Sequence, residues 1–211
     1  MHAGASATVR PFILDSDHLM RKNNSQDDNL IKRFIVTGTP GSGKTAIIRQ
    51  LEHDGFSVVE EAATDVIALE QGRGVAEPWM HASFIDAIAT LQEQRQMRAT
   101  GEVQFHDRSV VCTAALAVYL GHPLSAKLSL ELERIQSEAI YQRRALFVRN
   151  LGFITSSQAR RISFEEALRF ERIHEETYRN FGFEIFSVEP GSVAERVAAI
   201  KAAISVTRSS G

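Results

Sequence analysis

The octapeptide Gly38-Thr39-Pro40-Gly41-Ser42-Gly43-Lys44-Thr45 constrains this chain more than any other stretch. It follows an apolar run, Arg33-Phe34-Ile35-Val36-Thr37, and opens a helix-period segment that runs from Lys44 to His53. A Gly-x-x-x-x-Gly-Lys-Thr pattern between a strand and a helix reads as a phosphate-binding loop, or P-loop. Its glycines let backbone N–H groups turn inward around phosphate oxygens, because no Cβ blocks the approach or the positive φ angles. Lys44 then reaches the outer phosphates, and the Thr45 hydroxyl is a ligand for magnesium. The helix start adds favourable dipole charge. The plainer alternative is an ordinary glycine-rich turn, which leaves the match at every specified position and at both flanks unexplained. The expected ligands are a nucleoside triphosphate and Mg2+.

The rest of the chain fits one core around that loop. Its 211 residues, 44% apolar and 24% charged, are ordinary for a single globular domain. A formal charge of −2 gives no electrostatic reason to expect nucleic acid or an anionic membrane as partner. The single cysteine, Cys112, cannot form an intramolecular disulfide, which fits a cytoplasmic setting. No run approaches 18 consecutive apolar residues, and no His-Glu-x-x-His pattern offers a histidine-built metal site.

Residues 1–30 lack sustained periodicity and read as a mobile leader, with residues 31–211 as the domain. Strands are expected at 33–37, 56–60, 103–106, 145–148 and 183–188, where β-branched and aromatic residues concentrate. Helices are expected at 44–53, 62–71, 81–98, 110–120, 125–144, 163–180 and 192–204. Alternation of strands with helices predicts an α/β fold, a three-layer α/β/α sandwich on a five-stranded parallel sheet.

In such sheets ligands sit beyond the carboxyl ends of the strands, so polar residues there are the site candidates. Glu60 and Glu61 end the second strand and point to opposite sides. Glu61 is the preferred one, as a carboxylate that takes the proton of an acceptor hydroxyl or holds magnesium through water. The alternative is that both acids simply favour the start of the next helix. Asp107 and Arg108 end the third strand, the carboxylate orienting magnesium or its waters and the guanidinium clamping a phosphate. A local surface ion pair beside the helix that Ser109 starts is the competing reading. Arg160 and Arg161, in a polar stretch after the fourth strand, either close over the transferring phosphoryl group or form a solvated pair. Gln94 and Arg95 either face an acceptor pocket, with Trp79 near its mouth, or lie on a solvated helix face. Arg143 and Arg144 precede the fourth strand, at the other end of the sheet, and read as surface charge.

The order of these features, closing with Phe181-Gly182-Phe183, Val188-Glu189-Pro190 and Glu195-Arg196-Val197, resembles the bacterial AAA-domain ATPases of kinase-like type. That group is similar to the nicotinamide riboside kinase domain and to nucleoside and nucleotide kinases. The resemblance covers about residues 32–204. It implies a kinase-like P-loop domain that uses ATP, with Glu61 near the acceptor, Asp107-Arg108 as the Asp/Glu-Arg pair and Arg160 or Arg161 as lid arginines. The absence of a guanine-reading Asn-Lys-x-Asp sequence agrees with ATP. One departure is Thr64, where relatives often carry an arginine in Glu-Ala-x-Arg. The expected function is phosphoryl transfer from ATP to a small hydroxyl- or phosphate-bearing metabolite. The alternatives are a slow ATPase and a nucleotide-dependent switch acting on a protein partner.

Overall fold

The computed structural model describes residues 31–151 and 164–206, all within one compact unit. The proposed leader, residues 1–30, lies outside the described residues. Five strands, β1 (Lys32–Thr37), β2 (Ser57–Val59), β3 (Val103–Asp107), β4 (Arg144–Val148) and β5 (Glu184–Val188), pair in parallel in the order β2-β3-β1-β4-β5. Seven helices connect and flank them: α1 (Lys44–His53), α2 (Ala63–Gly72), α3 (Ser83–Arg98), α4 (Val110–Leu120), α5 (Ala126–Ser137), α6 (Phe164–Asn180) and α7 (Val193–Val206).

Strand alternation divides the core into two layers. Phe34 and Val36 of β1, with Phe105, Leu146 and Val188, pack against Ile47 and Leu51 of α1 and Val197 and Ile200 of α7. Ile35 and Ala145 face the other way, onto Ile85 and Ile88 of α3, Val111 and Ala114 of α4, Leu128 of α5 and Tyr178 of α6. The expected α/β/α sandwich is therefore the observed one. The chain leaves β1 for one side of the sheet and later returns from β3 to β4 on the other. The carboxyl ends of the strands at such a reversal, here β1, β3 and β4, are where sheets of this kind hold ligands.

Most boundaries fall within two residues of the sequence expectation, and three departures have a visible cause or consequence. Helix α5 was expected to reach Arg144 but ends at Ser137, and Ala139 takes φ 48°. Beyond it, the Gln142 N–H already donates to the Arg33 carbonyl at 2.8 Å, so the chain is joining the sheet. Ile140 and Tyr141 continue the apolar period past this end, and neither Gly nor Pro marks it. The third helix starts at Ser83 rather than His81, preceded by a 3-10 turn over Pro78–Met80, where Pro supplies the fixed φ. Strand β2 keeps only three of its five expected residues. No described helix is long and apolar enough to cross a membrane.

Candidate nucleotide site

The loop leaves β1 through Gly38, at φ 147°, so close to the end of β4 that a Cβ there would run into the Val148 carbonyl oxygen. It closes at Gly43, at φ 78°, which is the N-cap of α1 and offers no capping side chain. With no capping side chain, the Lys44 and Thr45 N–H groups at the start of α1 face a site for an anion, with the helix dipole behind them, while the Ala46 N–H donates to the Gly43 carbonyl at 3.1 Å. Between these points the Ser42 N–H donates to the Thr39 carbonyl at 3.2 Å. The Ser42 hydroxyl is buried without a hydrogen-bond partner, and Thr45 is exposed. A cradle that only glycine fits, with a buried hydroxyl unpaired beside it, suits a phosphate group.

Lys44, at the start of α1, and Asp107, at the end of β3, form a buried ion pair. Burial pushes the Asp107 carboxyl up, against the pull of Lys44. The next residue, Arg108, takes φ 73° and donates its N–H to the Val36 carbonyl at 3.0 Å. Its Nε donates to Glu61 Oε1 at 2.5 Å. Thr64, standing where relatives often carry arginine, donates its hydroxyl to Glu61 Oε2 at 3.2 Å. Burial raises the Glu61 carboxyl, but Arg108 and Lys44 outweigh it and hold the pKa at about 2. Glu61 is therefore a carboxylate at neutral pH, while Glu60 is exposed; both follow Val59, where β2 ends, so the expected strand alternation does not extend to them. On the far side of Arg108 lies fully buried His174, whose Nε2 is 3.5 Å from Nη1. His174 Nδ1 meets the Phe170 carbonyl at 3.2 Å, so Nδ1 carries the hydrogen and Nε2 is left as an acceptor for Arg108. Burial, then the Arg108 charge, lowers the His174 pKa to about 3, which keeps the ring neutral.

The structure thus brings Lys44, Glu61, Asp107 and Arg108 together, as two ion pairs joined through consecutive residues. Asp107 and Arg108 do not pair with each other on the surface; each finds a partner from another element. Arg95 does not line a pocket in isolation: it donates to the Glu60 and Glu61 carbonyls, the latter at 2.5 Å, and pairs with Asp65, so it braces the end of β2. Gln94 is exposed. Trp79 packs against the α3–α6 core layer and its carbonyl accepts from His122. Arg144 is only half-buried surface charge after all: it donates to the Ala203 carbonyl at 3.3 Å, tying the start of β4 to α7. Arg160 and Arg161 lie outside the described residues. A cavity of about 320 Å³, lined by Phe34, Phe56, Val103 and Lys201 among others, opens at the amino ends of the strands, the wrong end for the phosphate loop.

Two arginines at the loop were given no role there from sequence, although Arg196 stands in the Glu195-Arg196-Val197 run. Arg149, just past β4, donates to Glu175 at 2.9 Å, to Glu171 at 3.3 Å and to Ser187. Glu171 also accepts from the Thr39 hydroxyl at 3.4 Å, which links α6 to the loop. Arg196 of α7 donates to the Ser42 carbonyl at 2.7 Å and to the Arg149 carbonyl at 3.0 Å. Arg149 was findable, because it ends β4 as Asp107-Arg108 ends β3. The motif around Arg196 was visible but its target was not, since Ser42 lies 154 residues away.

Among known protein families, the model of the AAA domain matches residues 33–196. The chain belongs to this AAA-domain family. Among solved structures it is similar to deoxyadenosine kinase from M. mycoides, at a TM-score of 0.56 and 14% identity over 82% of this chain and 99% of that one. It is also similar to the NadR protein in complex with NAD and AMP-PNP, at a TM-score of 0.60 and 18% identity. That match covers 84% of this chain and 49% of NadR, so the AAA-domain chain spans about half of NadR's length. No curated protein sequence matches it. At these identities the likeness establishes the fold, a kinase-like P-loop architecture, in agreement with the sequence resemblance.

Proposed function

We propose that this AAA-domain protein is a Mg2+-dependent phosphotransferase that moves a phosphoryl group from ATP to a small hydroxyl- or phosphate-bearing metabolite in the cytoplasm. One observation carries the reading: the Lys44–Asp107 pair at the phosphate loop adjoins the Glu61–Arg108 pair at the next strand ends. A carboxylate beside the phosphate site can orient an acceptor hydroxyl for in-line transfer, as it could orient water in the ATPase alternative. The solved structures of deoxyadenosine kinase and of NadR bound to NR support the same class, since both concern small nucleoside-type compounds.

In this reading the loop N–H groups hold the phosphates, and Lys44 exchanges Asp107 for the outer phosphate oxygens. Thr45 and Asp107 are the residues that would hold Mg2+, with phosphate oxygens and water completing a shell that no protein cage provides among the described residues. The metal, when bound, neutralises charge on the outer phosphate oxygens. Glu61, with its pKa held low, is a weak base, so its work is to accept and orient the acceptor hydroxyl rather than to remove its proton early. That suits a loose phosphoryl-transfer transition state, in which the acceptor proton leaves late. Arg108 donates to the phosphoryl oxygens as charge spreads over them, and Arg160 and Arg161 are assigned the same task. Residues 31–211 hold this machinery, and residues 1–30 are left for a protein partner.

The test is magnesium-dependent ADP formation by the purified full chain, with and without pooled nucleosides, nucleotides, cofactor precursors and sugars. One pool should accelerate turnover, and Lys44→Ala should abolish it. Turnover that ignores every pool yet vanishes in Lys44→Ala replaces the kinase with an ATPase or switch.

A further inference from the structure

We infer that Arg196 is a positioning residue for the phosphate loop, fixing the Ser42–Gly43 peptide so that the Gly43 N–H faces bound phosphate. The inference rests on the reading of residues 38–45 as a triphosphate site.

Helix α7 is aimed by a capping box. The Ser192 N–H donates to Glu195 Oε2 at 2.8 Å, and the Glu195 N–H donates back to the Ser192 hydroxyl at 3.3 Å. The next residue is Arg196, so the box sets the direction in which its side chain leaves the first turn. That side chain is 4% exposed and runs under the loop. Nη1 takes the Ser42 carbonyl at 2.7 Å, and Nη2 takes the Arg149 carbonyl at 3.0 Å. One planar guanidinium therefore clamps the loop to the end of β4. It lies so close that a Cβ on Gly43 would stand 3.0 Å from Nη1, so the glycine is needed from below as well as for its φ.

A trans peptide is planar, with its C=O and N–H on opposite sides. Holding the Ser42 carbonyl from the α7 side turns the Gly43 N–H away from Arg196 and towards the open side of the loop. A charged donor on the carbonyl also polarises the amide and strengthens that N–H as a donor. Arg196 is an inefficient device for stability alone. Its Nε is buried without a partner, and a desolvated cation with an unused donor costs free energy. Burial correspondingly lowers its pKa. A guanidinium spent on two backbone carbonyls is instead suited to fixing the geometry of an anion-binding peptide.

The experiment uses the full chain and inorganic tripolyphosphate with Mg2+, titrated by calorimetry, with thermal melts to show that each variant is folded at the assay temperature. Arg196→Ala should bind tripolyphosphate about 10- to 100-fold more weakly, the loss expected for a charge-assisted hydrogen bond. Millimolar methylguanidinium should restore part of the affinity by filling the vacated space. Arg196→Lys, which reaches one carbonyl but not both, should fall between. A folded Arg196→Ala that binds like the wild type overturns the inference. So does a weakened variant that no guanidinium rescues and whose affinity loss follows its loss of melting temperature, because that marks a structural residue. If the wild type itself binds no tripolyphosphate, the phosphate-site reading fails first and this inference with it.

Discussion

Arg108 is held in a backbone conformation that costs a residue with a side chain about 1–2 kcal/mol, the left-handed region at φ 73°. Three interactions keep it there: its N–H on the Val36 carbonyl, its Nε on Glu61, and its Nη1 against the lone pair of His174. Strain stored at the carboxyl end of a strand, beside a buried Lys–Asp pair, is what a functional site looks like at the scale of one residue. The strain can be separated from the side chain. Arg108→Ala and Arg108→Gly both lose the guanidinium, but only glycine also escapes the backbone cost. The glycine variant should be more stable than the alanine variant by about 1 kcal/mol in urea unfolding. In both, the Glu61 carboxyl should titrate well above its present value of about 2, because burial then acts on it with its nearest cation gone. Equal stabilities would mean that the backbone at 108 is unstrained. Asp107 and Arg108 were legible as a pair from the apolar strand before them. Their partners were not, because Lys44 opens α1 and Glu61 follows β2, both far from Asp107 and Arg108 in sequence.

Elements were legible where their ends carry their own chemistry. Helix α1 runs over Lys44–His53 and α4 over Val110–Leu120, as expected, because a glycine N-cap opens one and Ser109 and Gly121 bracket the other. Helix α5 overran in the sequence reading because its end is made by tertiary pairing, with Gln142 on Arg33, and not by a local stop signal. The N-cap of α4 allows a direct test. The Ser109 hydroxyl accepts from the Val111 N–H at 3.3 Å and shares a hydrogen bond with the Tyr178 hydroxyl at 3.0 Å, so it joins α4 to α6. Ser109→Ala removes the cap, worth about 1 kcal/mol. The Tyr178 hydroxyl keeps Cys112 as a partner, so the further penalty is small. The urea midpoint should fall by an amount equivalent to about 1–2 kcal/mol with an unchanged slope. A changed slope would mean that α4 frays in the native state instead of losing one bond.

Over the whole molecule, the parallel sheet was legible but its strand order was not, because β1 pairs with β3 and β4 across long stretches of chain that carry no pairing signal of their own. That order closes a core in which two histidines are sealed. Burial, then the Arg33 charge, lowers the His106 pKa to about 3, and burial with Arg108 does the same to His174. Both rings are neutral in the folded protein, while in the unfolded chain they titrate near 6.5. Below pH 6.5 the unfolded state therefore binds more protons, so the stability they contribute is present above 6.5 and is lost as pH falls towards 3. Glu61, depressed from 4.5 to about 2, adds a loss of the same sign only below pH 4.5. Stability should be level above pH 7 and fall from about 6.5, with a slope that reaches about 2.7 kcal/mol per pH unit for two protons. His174→Gln leaves an acceptor for Arg108 and removes one titration, so it should halve the slope between pH 6 and 5 without abolishing the decline. Urea unfolding at half-unit pH steps measures both. Stability that stays flat down to pH 5 would show that the core admits the protons, and that these histidines are not sealed by the two layers around the sheet.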